Sequence, residues 1–142
     1  MPRAFRANRT GIDFNLMGKT DEELIEKRDA LMVRDADLIA QVKSYGVELG
    51  NARQIDLMFW APDEAKAKLL VEAMKRNEMP PFLVLGPANE KEADRRWAIR
   101  CSITASVTFI TTKENIETFI LFADKFECDY DGWGTPIVEA SR

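Results

Sequence analysis

The stretch Trp97-Ala98-Ile99-Arg100-Cys101-Ser102-Ile103-Thr104-Ala105-Ser106-Val107 decides the fold. Trp97, Ile99, Cys101, Ile103, Ala105 and Val107 alternate with Ala98, Arg100, Ser102, Thr104 and Ser106. Successive side chains of a strand point to opposite faces. A period of two with one apolar phase therefore predicts a strand whose sheet is covered on one side only.

The neighbouring segments supply the rest of that sheet and its cover. Downstream, Thr111 and Glu114 have the spacing of a capping box. Ile116, Phe119, Ile120 and Ala123 then recur at helical spacing, flanked by Phe122 and Phe126, before a last strand or turn over Glu127 to Val138. Upstream, Ala88 to Arg96 is charged and turn-like, and Phe82 to Leu85 forms a short strand between Pro80-Pro81 and Gly86-Pro87. A helix opened by Pro62, Asp63 and Glu64, with Pro at its first position, carries the stripe Ala65, Leu69, Leu70, Ala73 and Met74. Before it, Ile55 to Ala61 reads as the first strand.

The order β-α-β-β-α-β is that of an α+β, ferredoxin-like sandwich with a four-stranded antiparallel sheet. Both helices are apolar on one side, so both belong on one face of the sheet. The other face is then expected to show Asp56, Met58 and Trp60 beside Arg100, Ser102 and Thr104. By analogy with that fold the strand order is 4-1-3-2, which separates the third and fourth strands and leaves Cys101 and Cys128 unbonded.

Ahead of this unit lies a further helix. Thr20 and Glu23 make a capping box, and Asp21, Glu22 and Glu23 set negative charge at the positive end of the helix dipole. Leu24, Leu31 and Leu38 recur every seven residues beside Ile25, Met32 and Ile39, giving an apolar stripe roughly 140° wide. It either packs on its own domain or pairs with a partner or with a second copy of the chain. Charge marks the boundaries: residues 1–19 carry four basic side chains and one acidic (+3), residues 20–50 four and eight (−4), and residues 51–142 twelve and fifteen (−3). The expected organisation is a basic N-terminal arm over 1–19, an amphipathic helix and loop over 20–50, and the ferredoxin-like domain over 51–142.

With 142 residues, the chain is long enough for one domain with its own core. Histidine is absent, which excludes Ser-His-Asp and Cys-His catalysis and imidazole-ligated zinc. Two cysteines are too few for a disulfide framework or a four-thiolate metal site. Gly-rich phosphate loops are missing. No apolar run approaches the ~20 residues of a membrane span, and no signal segment follows the basic start, so the cytoplasm is the expected location. No cofactor or metal is implied.

The densest cluster of chemically capable side chains is Asp129-Tyr130-Asp131-Gly132-Trp133-Gly134. Gly132 and Gly134 permit a sharp bend. Trp133 then either lays its surface on the domain's own core, or is presented with Tyr130, Asp129 and Asp131 to a partner. Acid–base work by Asp129 and Asp131 is a further reading, but no opposing group is evident. An RNA-recognition domain has the same order of elements, yet the exposed phase of the third strand offers one cation and no ring, so direct nucleic-acid readout is not expected.

The run Lys125-Phe126-Glu127-Cys128-Asp129-Tyr130-Asp131-Gly132-Trp133-Gly134 resembles the C-terminal signature of the regulator of ribonuclease E activity B family. The piece Ile55-Asp56-Leu57-Met58-Phe59-Trp60-Ala61-Pro62-Asp63-Glu64-Ala65 is similar to that family's first strand and helix start. The resemblance implies a ferredoxin-like protein without enzyme activity that binds ribonuclease E and inhibits it, altering RNA abundance. Its best-known members continue into a long acidic tail, whereas this sequence ends at Ser141-Arg142. The expected partner contacts are Tyr130, Asp131 and Trp133, then Met58 and Trp60, with Gly132 and Gly134 as the structural turn. Alternatives are an RNA-binding module of the same fold, a carboxylate enzyme, and a structural or dimerising domain.

Overall fold

A computed structural model describes residues 20–87 and 95–137. Among the described residues, four helices and four strands follow in the expected alternation, with one addition. They are helix α1 (Asp21–Ser44), strand β1 (Arg53–Ala61), helix α2 (Glu64–Arg76), strands β2 (Pro81–Leu85) and β3 (Trp97–Ala105), one-turn helix α3 (Val107–Ile110), helix α4 (Lys113–Asp124) and strand β4 (Asp129–Gly134). The expected arm over residues 1–19 and the charged segment at 88–94 lie outside the described residues.

The four strands form one sheet in the order β2-β3-β1-β4, every neighbouring pair antiparallel. This is the expected α+β, ferredoxin-like arrangement, with a helix preceding the sheet. Along β3 the apolar phase is interior, Ile99 and Cys101 being fully buried, and Arg100 and Thr104 are exposed. Cys101 and Cys128 are both buried and free. Burial pushes each thiol up to about 12, so both sulfurs stay protonated at neutral pH.

Each helix starts on a side-chain cap. In α1 the Thr20 hydroxyl accepts from Glu23 N–H while Glu23 accepts from Thr20 N–H at 2.9 Å, completing the capping box. In α2 the cap is Asp63, so Pro62 precedes the cap instead of occupying the first helical position. In α4 the cap is Thr112 and not Thr111, because Ser106 first caps α3 and Thr111 closes that turn. The buried line of α2 is Ala67, Leu70, Ala73 and Met74, and Leu69, expected inside, is exposed.

Helix α4 is buried on two sides, Ile116, Phe119, Ile120 and Ala123 being joined inside by Thr118, Leu121 and Phe122. One side meets the sheet and the other meets α1. The buried line of α1 is narrower than the expected stripe: Leu24, Leu31, Asp35 and Val42 are inside, whereas Ile25 and Met32 face solvent. Arg28 ties the two helices together, donating to Glu117 at 2.7 Å. The leading helix thus packs on its own domain.

Candidate functional site

Strand β4 carries an extra residue. Leu57 of β1 stands opposite Trp133 and Phe59 opposite Tyr130, so two steps along β1 match three along β4. Strict alternation would put Tyr130 and Trp133 on opposite faces. The bulge at Asp131 returns both to the helix side, and Gly132 accommodates it at φ +107°. Gly134 has an ordinary backbone angle and open space around it, so the bend rests on Gly132 alone of the two glycines.

The consequence corrects an expectation about exposure. Tyr130 and Trp133 are 1% and 2% exposed, and neither offers its ring to a partner in this conformation. Tyr130 packs between Phe59 and Phe119 at centroid distances of 5.4 and 5.1 Å. Its hydroxyl is buried without a hydrogen-bond partner, and burial drives its pKa well above the usual phenol value. Trp133 donates its indole N–H to the buried carboxylate of Asp35 at 2.9 Å. Burial raises the Asp35 pKa above 3.8, while the Trp133 hydrogen bond and the charge of Arg34 oppose that rise.

The residues that do reach the surface converge around Asp131. On the face away from the helices, Trp60 Nε1 donates to Asp131 Oδ2 at 3.2 Å, and the Arg96 guanidinium lies 4.4 Å from the centroid of the Trp60 ring. From α1, Arg34 donates to the Asp131 carbonyl at 2.9 Å and approaches its carboxylate at 3.4 Å. Met58 stands opposite Gly132 in the ladder. Of the seven expected site residues, Met58, Trp60 and Asp131 are thus brought together at half-exposed positions. Tyr130, Gly132 and Trp133 hold them from within, and Gly134 pairs with Asp56 in the ladder, away from the three.

Arg34, Asp35 and Arg96 were not expected here. One signal was available: Asp35 interrupts the apolar line Leu24, Leu31, Val42, and an acid on a buried line calls for a buried donor.

Asp129 lies beside Lys27 at 4.0 Å, exposed at the strand end. An open depression of about 340 Å³ is lined by Gln54, Glu78, Pro80, Ser102, Ile103 and Thr104. A single carboxylate faces it, not the pair that a carboxylate enzyme needs. Among the described residues, no group of three or more His, Cys, Asp or Glu side chains is placed to hold a metal ion. No helix among them is long and apolar enough to cross a membrane.

The family model described as regulator of ribonuclease activity B matches residues 34–135. The match spans both halves of the contact between Arg34-Asp35 and Asp131–Trp133. No curated protein matches the chain.

Proposed function

Because the chain belongs to the regulator of ribonuclease activity B family, we propose that it acts by docking on an endoribonuclease of the ribonuclease E type and inhibiting it in the cytoplasm, with no chemistry of its own. The observation that supports this reading most directly is the Asp131 bulge. It places Trp60, Met58 and Asp131 together on the helix-free face, steadied by Arg34 and by the buried Trp133–Asp35 hydrogen bond. A half-exposed indole fixed by a carboxylate keeps little freedom to lose on docking, which favours it as an anchor. Tyr130 and Trp133 are proposed to serve the contact from beneath, by fixing where Asp131 sits.

The test is cleavage of a labelled RNA by purified ribonuclease E with and without the protein. Slower cleavage is expected. Trp60→Ala combined with Asp131→Ala is expected to weaken inhibition about tenfold or more while the fold is retained. Unchanged cleavage would refute the proposal for ribonuclease E, and full inhibition by the double variant would move the docking surface elsewhere.

A further inference from the structure

The two outer strands of the sheet are guarded very differently. The β4 edge carries Asp129 and Asp131, a bulge, and the Arg34 side chain of α1 laid across it. Charges and bulges of this kind keep other strands from pairing with an edge. The β2 edge, Pro81-Phe82-Leu83-Val84-Leu85, holds no charge at all. Phe82, Val84 and Leu85 are 54%, 44% and 65% exposed, so three of the eight exposed large apolar side chains among the described residues fall within these five. Pro81 and the register shift before Leu83 guard only the start of the strand.

Among the described residues, the end of this edge nearest Leu85 is flanked by arginines, while Glu78 lies at its other end, before Pro81. Leu83 and Leu85 stand opposite Arg100 and Ala98, on the helix-free face. Arg100 is exposed, as are Arg95 and Arg96 just before β3, and Arg95 and Arg100 form no ion pair among the described residues. Strands in a sheet lie about 4.8 Å apart, so a strand added to β2 runs about 10 Å from β3, within reach of an extended arginine paired with a glutamate.

We infer that the β2 edge takes an extended, acidic–apolar segment of a partner protein as a fifth strand. Main-chain hydrogen bonds would supply the affinity. Apolar side chains would cover Val84 on the helix side, and carboxylates on the opposite face would meet Arg100 and Arg95. An acidic segment fits because Arg95 and Arg100 form no ion pair among the described residues and the strand has no charge to repel it. The β2 edge is parted from β4 by β3 and β1, although Arg100 stands opposite Met58, and the inference holds whether or not a ribonuclease is the partner.

The probe is a fluorescein-labelled peptide of about ten residues alternating glutamate and valine, a usual strand length doubled to allow sliding. Three controls accompany it: the same peptide with lysine for glutamate, one with central prolines, and a single-stranded RNA of similar length. Anisotropy is expected to show binding by the acidic peptide only. Amide NMR shifts are expected to concentrate at Leu83–Leu85. Leu85→Glu and Arg100→Glu, both at exposed positions, are each expected to weaken binding about tenfold with the remaining amide spectrum unchanged. Dissociation constants above about 1 mM, equal binding of the proline or lysine peptide, preferential binding of the RNA, or self-association through β2 in sedimentation would each overturn the inference.

Discussion

The indole N–H of Trp133 donates to Asp35 at 2.9 Å across 98 residues of sequence, and the bond is buried. It fastens the leading helix to the last strand at the point where Arg34, one residue earlier, holds the Asp131 carbonyl. Removing the donor leaves a buried carboxylate with one fewer partner, which typically costs about 1–3 kcal/mol. Trp133→Phe is therefore expected to lower stability by at least that much, since ring area is lost as well. Asp35→Asn keeps an oxygen acceptor and is expected to cost less than Asp35→Ala. Urea unfolding of the single and double variants gives the coupling, and additive losses would show that the two side chains do not act as a pair.

The pH dependence of stability follows from the same carboxylate. Burial raises the Asp35 pKa in the folded protein above its ordinary 3.8. The folded state then holds this proton at a pH where the unfolded chain has released it. Its contribution is fully present below the unfolded value and is lost as pH rises through the folded one. As pH falls from neutral toward about 4, the wild-type protein is expected to gain stability relative to Asp35→Asn, which has no such proton to bind. Urea midpoints of both proteins across this range measure the difference. A gap that moves the opposite way on acidification would mean that hydrogen bonding outweighs burial at Asp35.

Tyr130 presents the reverse case, a buried hydroxyl with no partner. Deleting a polar group that makes no bond removes only its desolvation cost. Tyr130→Phe keeps the ring contacts with Phe59 and Phe119 and is expected to be neutral or to stabilise by up to about 1 kcal/mol. Tyr130→Ala is expected to cost about 3–5 kcal/mol through the cavity it leaves. A loss above about 1 kcal/mol in the Phe variant, read from denaturant midpoints, would reveal a hydrogen bond to that hydroxyl.

The two glycines of the turn should respond differently to a methyl group. At Gly132 the backbone is at φ +107°, and a Cβ would stand 3.2 Å from Arg34 Nη2. Gly132→Ala is expected to destabilise by about 1–3 kcal/mol through backbone strain and to dislodge Arg34 from the Asp131 carbonyl. At Gly134 nothing lies within 4 Å, so Gly134→Ala is expected to change stability by less than about 0.5 kcal/mol. Thermal melts of the two variants side by side test the contrast, and equal effects would contradict it.

Strand identity and the choice of buried face were legible because each rested on a long periodic signal, above all the alternation from Trp97 to Ala105. The helix-free face also followed from it, with Met58 and Trp60 half-exposed on that side. What escaped was set by contacts between distant segments. The phase of Tyr130 and Trp133 depends on a bulge one residue long, which no pattern within six residues of strand reveals. The exposure of Ile25 and Met32 depends on α4 taking only a narrow line of α1. The one-turn helix at Val107–Ile110 was hidden because Val107 continues the strand's apolar phase, and Ser106 turns the chain one residue earlier.

The ends of α2 and α4 were illegible for a more local reason, which yields the last prediction. Beyond α2, Met79 N–H donates to the Met74 carbonyl at 2.9 Å and Glu78 N–H to Lys75 at 3.4 Å, with Glu78 at φ +57°. Beyond α4, Cys128 N–H donates to Ala123 at 3.0 Å and Glu127 N–H to Asp124 at 3.0 Å, with Glu127 at φ +60°. Both are Schellman motifs, each followed by a buried residue, Met79 or Cys128. Glycine normally marks that left-handed position, and here glutamate occupies it at a steric cost. Glu127 also pairs with Lys66 at 3.0 Å, so Glu78 is the cleaner test. Glu78→Gly removes the strain but loosens the unfolded chain, and the balance is expected to stabilise by roughly 0.5–1 kcal/mol. A higher urea midpoint with an unchanged slope would bear this out. A lower midpoint would mean that the Glu78 side chain contributes more to the fold than its backbone strain removes.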